Sequence, residues 1–482
     1  MVNQPLGRMS NTVDSYQEKQ SIAPLGLSLL SLAALSLTVT ESVSPTAAVT
    51  LPIIIGILSA AYHYRASKND PFHPAVFPTL YVIYAMVLPI TYTGITGRQI
   101  RQVSFTTLNV DTIYLMASFS LALIALTSAI PARKYDDTIV QTVTVNYRRA
   151  EIIGNIALGL AAVAKIVQIY ASQGLAYGEG QTEYGLRAFA TTAAEGLLLI
   201  AVLAIVVSRT GDSKTAIGKT QVFTLAMIAA ASFVTLGSRG EMIAPTIIIL
   251  WGYTRYRRPP ALVTGATAIG AIALFNWVGN FRSQNNNTDE FGNILERSFV
   301  DTSTPITITD TLVSLRQLGL PPLGGETYLS SLQMTAPGFI TRALMDGTPT
   351  TATYIYRELI GLDNPNSGVG FSFASEAYLN FGSVGLVLAG ALGGSIIALT
   401  LILSRHTQNP FYASMYIIAI ANLPYALRSD SLSLIKLILY PALAMVILSF
   451  LTLEKGRKAA HQSFDKEARN VDHRNRYKNT TS

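Results

Sequence analysis

Arg98, Arg101, Arg187, Arg239, Arg282, Arg297, Arg316, Arg342, Arg357 and Arg428 fall in segments that the charge pattern assigns to one face of a membrane, and no lysine joins them there outside the apolar stretches. A guanidinium grips phosphate oxygens through a planar fork and stays charged at any working pH, whereas a lysine is a point charge. An all-arginine face fits a pocket for an anionic substrate, above all one that bears pyrophosphate. Chance is the competing explanation, and arginine's general preference at such sites does not decide between the two.

Particular positions sharpen this. "TLGSRGEM" joins two apolar segments, with Gly237 and Gly240 suited to a tight reversal and Arg239 at its tip. The helix that follows turns its positive dipole end toward Arg239, which makes an anion site; a solvated turn arginine, or one paired with Glu241, is the alternative. "PYALRSDSLSL" repeats the arrangement around Arg428, with Ser429 or Asp430 available to cap the next helix. Lys436 and Lys165 lie inside apolar segments, close enough to the same face either to snorkel or to line a wet pocket. Glu376 opens another apolar segment, "SEAYLNFGSVGLVLAGALGG", as an ordinary helix-start carboxylate or as a pocket group that orients an arginine or takes a proton from a hydroxyl. Tyr378 and Asn380 add hydrogen-bonding groups beside it. Gly382, Gly385, Gly390, Gly393 and Gly394 thin this helix for close neighbours.

Absences narrow the chemistry. His63, His73, His406, His461 and His473 all map to the opposite face, and there is no cysteine. Disulfides, thiol catalysis and cysteine metal sites are excluded. No acidic cluster has metal-ligand spacing, so chemistry at the arginine face must run on guanidinium, carboxylate and hydroxyl groups. Pyrophosphate is already a good leaving group. Its departure needs fixed cations, and the acceptor hydroxyl needs at most a weak base.

The elements that position these residues are membrane helices. Half the residues are hydrophobic and only 13% are charged, against about a quarter in a soluble protein. Apolar runs long enough to span a bilayer are expected near 22–40, 47–63, 73–92, 110–130, 151–172, 190–208, 220–236, 241–256, 261–279, 373–403, 411–426 and 432–453. Arg65, Lys68, Arg133, Lys134, Arg148, Arg149, Arg209, Lys214, Lys219, Arg255, Arg257, Arg258 and Arg405 lie in alternate connections. The positive-inside rule makes those cytoplasmic and the arginine face external, with both termini inside. The net charge of +7 is thus a topology signal, and no nucleic-acid motif accompanies it. The first apolar run, with its long polar leader, reads as a retained helix rather than a signal peptide.

This gives an all-α integral membrane protein of about twelve transmembrane helices. Residues 1–21 form a cytoplasmic segment, 22–279 carry helices one to nine, 280–372 an external loop, 373–453 the last three helices, and 454–482 a basic cytoplasmic tail. The 280–372 loop is far longer than a connector requires. Its apolar residues recur at three- and four-residue spacing, as in short helices that lie on the membrane surface or cap a cavity.

"GSRGEMI" at a helix turn and "SEAYLNFGSVGLVLAGALGG" after a long external loop resemble the oligosaccharide repeat-unit polymerases of the Wzy type, which build O-antigen and capsule. The resemblance implies a membrane-embedded, GT-C-like glycosyltransferase of the bacterial inner membrane, independent of metal or other cofactor. It would transfer a growing glycan from undecaprenyl pyrophosphate to the terminal sugar of a new lipid-linked unit. Carried over by position, Arg239 would bind pyrophosphate and Glu376 would lie in the pocket. Arg428, Arg98, Arg101, Arg187, Arg282, Arg316, Arg342, Arg357, Lys165, Lys436, Tyr378 and Asn380 are the further candidates for pyrophosphate or glycan. The implied partners are the lipid-linked oligosaccharide, membrane lipids, a chain-length regulator and a flippase. An O-antigen ligase is the competing enzyme, though a catalytic histidine would be expected in its long loop. A twelve-helix transporter or lipid-glycan flippase is the competing class, though its long linker would be expected inside, between two six-helix halves.

Overall fold

The computed structural model describes residues 10–67, 70, 73, 75–98, 106–129, 145–171, 186–209, 218–236, 245–246, 248–250, 299, 302–335, 351–361, 371–405 and 410–453. Among them the chain is helical, apart from one antiparallel bridge between Val145 and Leu453. The helices are α1 (Ser10–Val39), α2 (Pro45–Ala66), α3 (Phe77–Val82), α4 (Leu88–Thr96), α5 (Val110–Ser128), α6 (Tyr147–Ala171), α7 (Leu186–Arg209) and α8 (Lys219–Leu236). After these come α9 (Thr304–Gln317), α10 (Glu326–Gln333), α11 (Ala352–Leu359), α12 (Phe373–Arg405), α13 (Pro410–Arg428) and α14 (Ser431–Thr452).

Among the described residues, eight segments are long and apolar enough to cross a membrane: 22–39, 45–66, 77–96, 110–128, 147–171, 189–209, 373–400 and 431–452. α8 and α13 lie where two more spans were expected. Of the remaining expected spans, 261–279 lies outside the described residues and 241–256 largely so.

Local sequence explains the element ends. Ser44 caps α2 by accepting from the Ala47 N–H, and Pro45 takes the first helical position, where no N–H is needed. A π-turn over Ile83–Val87 joins α3 to α4 just ahead of Pro89. A proline ring would collide with the carbonyl four residues back, and the wider turn relieves that. α1 starts at Ser10, upstream of its apolar run, because the polar leader holds no glycine or proline between Ser10 and Ala23.

Among the described residues, packing forms two large apolar cores and two small ones between α1, α2 and α5. The first gathers Met86, Ile90, Phe119 and Leu123 with Ile306 and Leu312 of α9 and Ala377 and Leu386 of α12. The second joins α6, α7 and α8 to α13 and α14 through Leu158, Leu203, Leu225, Ile417 and Leu448. α5 is the central strut. Along it only Val110, Asp111 and Leu126 are exposed, as expected of a helix apolar on every side. α12 lies close against it: a Cβ at Gly390 would stand 2.4 Å from the Phe119 carbonyl oxygen, and one at Gly394 would stand 2.8 Å from Leu126 Cβ.

The two ends of the bundle differ. At one end Asn146 N donates to Thr452 O, and Arg209 on the last turn of α7 pairs with Glu151 of α6 at 2.5 Å. His63 and His73 also lie there, with ring centroids 5.4 Å apart. At the other end the N-termini of α5, α12 and α14 meet α9, α10 and α11, the helices of the long connection.

Candidate functional site

The site is built around the first turns of α12, the stretch "SEAYLNFG". Ser372 caps the helix by accepting from Ser375 N at 3.0 Å, and Ser375 Oγ lies 3.0 Å from Thr309 Oγ1 of α9. One residue on, Glu376 is fully buried. Its Oε1 accepts from Thr327 Oγ1 of α10 at 2.7 Å and from Ser431 Oγ at 2.8 Å, while Oε2 accepts from Ser431 N at 2.5 Å. Ser431 is the first residue of α14. The carboxylate therefore sits at a positive helix end, but at that of α14 rather than only its own. Asn380, one turn further, donates from Nδ2 to Thr327 Oγ1 at 2.6 Å and accepts at Oδ1 from Gly325 N at 3.0 Å. Asn380, Thr327, Glu376 and Ser431 thus form one buried chain of hydrogen bonds across α12, α10 and α14.

α12 then breaks. Gly382 has φ 67° and ψ −148°, a conformation open in practice only to glycine. A continuous helix was expected here, with Gly382 and Gly385 as packing notches. They serve the break instead: a Cβ at Gly385 would run into the Ala377 carbonyl. The break frees carbonyls that need donors, and the connection supplies them. Arg316 Nη2 donates to Tyr378 O at 3.3 Å and to Leu379 O at 3.2 Å. Leu323 N and Gly324 N donate to Leu379 O and Asn380 O. The Arg316 guanidinium also lies over the Tyr378 ring, 5.1 Å from its centroid.

Two further carboxylates seat the connection. Asp310 of α9 accepts from Asn109 N at 2.9 Å and Thr112 Oγ1 at 2.8 Å, which caps α5 from outside its own sequence. Asp430 caps α14 through Ser433 N, and its other oxygen accepts from Thr353 Oγ1 of α11 at 2.8 Å. Burial and the nearby Glu376 charge push the Tyr328 hydroxyl of α10 well above the usual tyrosine range. Burial likewise raises Tyr356 of α11, partly offset by a hydrogen bond with Thr311.

Glu376, Tyr378, Asn380 and Arg316 are thus brought together. Arg316, however, faces main-chain carbonyls and an aromatic ring. Arg357 is half-buried on the last turn of α11, and Arg98 is exposed just past Gly97 at the end of α4. Lys165 is buried in α6 and Lys436 half-buried in α14. Arg187 and Arg428 belong to α7 and α13. Arg101, Arg239, Arg282, Arg297 and Arg342 lie outside the described residues. Sequence reasoning missed Thr327, Ser431 and Asp310. The pair Gly324–Gly325 ahead of Thr327, and the position of Ser431 just after a capping aspartate, were the available signals.

The connection from α9 to α11 is therefore hydrogen-bonded to the ends of three bundle helices, with the "SEAYLNFG" stretch at its centre. No curated protein and no solved structure matches the chain. A family model, that of the O-antigen polysaccharide polymerase Wzy, matches residues 25–455. That match spans the bundle and its long connection together, so the chain belongs to the Wzy family of O-antigen polysaccharide polymerases.

Proposed function

We propose that the protein polymerises oligosaccharide repeat units carried on undecaprenyl pyrophosphate, at the external face of the bacterial inner membrane. A hydroxyl on the terminal sugar of a new lipid-linked unit attacks the anomeric carbon of the growing glycan. The bond from that carbon to the pyrophosphate breaks, and the lipid pyrophosphate leaves with the bonding electrons. The hydroxyl proton passes to a weak base or to the departing phosphate. Twelve membrane helices with both termini inside, a GT-C-like architecture and an external 280–372 loop complete the reading.

Arg239, Arg428 and further arginines of the loop neutralise the leaving group, so no metal is needed. Arg98, Arg101, Arg187, Arg282, Arg342 and Arg357, with Lys165 and Lys436, supply the surrounding positive field. Glu376 and Asn380 hold the loop over the helix ends. Glu376 has three donors on its two oxygens, which favours this positioning role over that of proton acceptor. Arg316 and Tyr378 act in the same way, by closing the break in α12.

The observation that carries the proposal is the family match over 25–455. Its test is incubation of the purified protein in lipid with short lipid-linked oligosaccharide alone. A ladder of longer products is expected. Transfer to a different acceptor, or translocation without chain growth, would overturn the reading. Arg239→Lys should abolish most chain growth, because lysine keeps the charge but not the fork. Full growth with lysine there would remove the bidentate phosphate contact from the mechanism.

A further inference from the structure

α10 is built the wrong way round for a helix in water. Thr327 and Ser331, one turn apart, are fully buried, while Leu329 and Leu332 are 59% and 60% exposed on the opposite face. Glu326 and Gln333, at the two ends of the helix, flank Leu329 at three- and four-residue spacing and are exposed. A surface helix in water turns its apolar stripe inward. Here the inward residues carry hydroxyls, of which Thr327 meets Glu376 and Asn380, and the leucines point away from the protein.

The outward leucines continue a surface already apolar. Phe381, Val384 and Leu388 of α12 are 46%, 69% and 60% exposed, and Ile438, Leu439 and Leu443 of α14 are exposed as well. Both helices are membrane-crossing segments by length and composition. Tyr328 stacks on Phe381 at 6.0 Å, which joins the α10 face to that of α12.

The two ends of α10 also contact α14 at different depths. Thr327 meets Glu376 beside Ser431, at the start of α14. Thr335, just past the other end of α10, accepts at its carbonyl from Tyr440 Oη at 3.4 Å. Tyr440 is nine residues further along α14. At about 1.5 Å of rise per residue, less the reach of the tyrosine back toward its N-terminus, Thr335 lies on the order of 10 Å below the helix start. α10 therefore runs down the side of a membrane helix. The Thr335 carbonyl, just past its last turn, is supplied with a donor, as backbone within hydrocarbon requires.

We infer that α10 is a re-entrant helix that dips into the bilayer beside α14, with Leu329 and Leu332 in contact with lipid acyl chains. The inference does not depend on the reaction catalysed. It places the buried Glu376–Thr327 contact one helix width, about 10 Å, from lipid.

The chain has no cysteine, so single-cysteine spin labels report position without further engineering. Leu329→Cys and Leu332→Cys are labelled in full-length protein in lipid nanodiscs, with Val384→Cys as the lipid reference and Glu358→Cys on α11 as the water reference. Accessibility to oxygen, which concentrates in hydrocarbon, is compared with accessibility to a water-soluble nickel chelate. The expected oxygen-to-chelate ratio at 329 and 332 matches that at 384 and exceeds that at 358 several-fold. A ratio at both leucines equal to that at 358 would overturn the inference. So would labels shielded from both reagents, since the face would then be covered by protein. Each leucine is tested independently, so one poorly folding variant leaves the other decisive.

Discussion

Glu376 turns its carboxylate away from solvent and toward the start of another helix. Its role can be separated from that of a general base by two substitutions. Glu376→Gln keeps the shape but sets an NH2 group against donors, where the carboxylate accepted from Thr327 and Ser431. Leaving such a buried donor unmatched costs about 1–3 kcal/mol, so the detergent-solubilised variant should melt at a lower temperature. If the residue only positions the loop, Glu376→Gln lowers chain growth while the pH–rate profile keeps its shape. Loss of the acidic limb of that profile would instead identify Glu376 as the base. Thr327→Ala should weaken activity in the same direction and by less, because Ser431 still holds the carboxylate. At this scale sequence went only part of the way. A carboxylate at a helix start, with Tyr378 and Asn380 nearby, is legible from spacing. That Glu376 caps α14, and that Arg316 donates to main-chain carbonyls of α12, depends on residues 55 and 62 positions apart, a separation that no local pattern encodes.

The break in α12 is the element on which the connection depends. It exposes the carbonyls of Tyr378, Leu379 and Asn380 at one level, and the 316–325 stretch donates to all three. Gly382→Ala should cost roughly 1–3 kcal/mol in backbone strain alone. The added Cβ would also stand 3.0 Å from Arg316 Nη1, where the guanidinium has to give way. The expected outcome is faster proteolysis in the 304–335 region, with the transmembrane bundle intact. Gly390→Ala behaves differently, because its Cβ meets the Phe119 main-chain carbonyl. It should loosen α5 from α12 and lower expression and melting temperature together. Cleavage patterns alike in the two variants would show that the break has no separate role. Apolar run length made the described helices legible. It did not reveal the break, since a glycine that relieves packing and one that interrupts a helix look the same in sequence. The π-turn before Pro89 escaped notice for a similar reason: proline announces trouble, not its resolution.

Among the described residues, a bundle with two large apolar cores carries at one end a connection fastened both by apolar packing, through Ile306, Leu312 and Tyr356, and by polar contacts at helix ends. Asp310, Glu376 and Asp430 seat it on the N-termini of α5 and α14, and Arg316 seats it on carbonyls of α12. Negative groups thus meet helix starts and the positive group meets freed carbonyls, which is the favourable sense of each helix dipole. Hydrocarbon burial holds the bundle over a broad pH range, but the connection should respond to charge. Tyr328 links the two effects, because burial and the Glu376 charge raise its pKa above the ordinary tyrosine value of about 10. The folded state then holds that proton more tightly than the unfolded chain does. Its contribution to stability is complete below about pH 10 and is lost as pH rises beyond it. Tyr356 of α11 is raised as well, chiefly by burial, and acts in the same direction. Limited proteolysis of the protein in lipid should therefore show the 304–335 region opening at alkaline pH while the bundle fragments stay protected. Tyr328→Phe keeps the ring stacked on Phe381 and removes the ionisable group. It should shift opening to higher pH and leave a smaller transition from Tyr356. If bundle and connection open together at one pH in both proteins, the connection is not a separately fastened layer, and its docking onto the helix ends contributes less than the geometry implies.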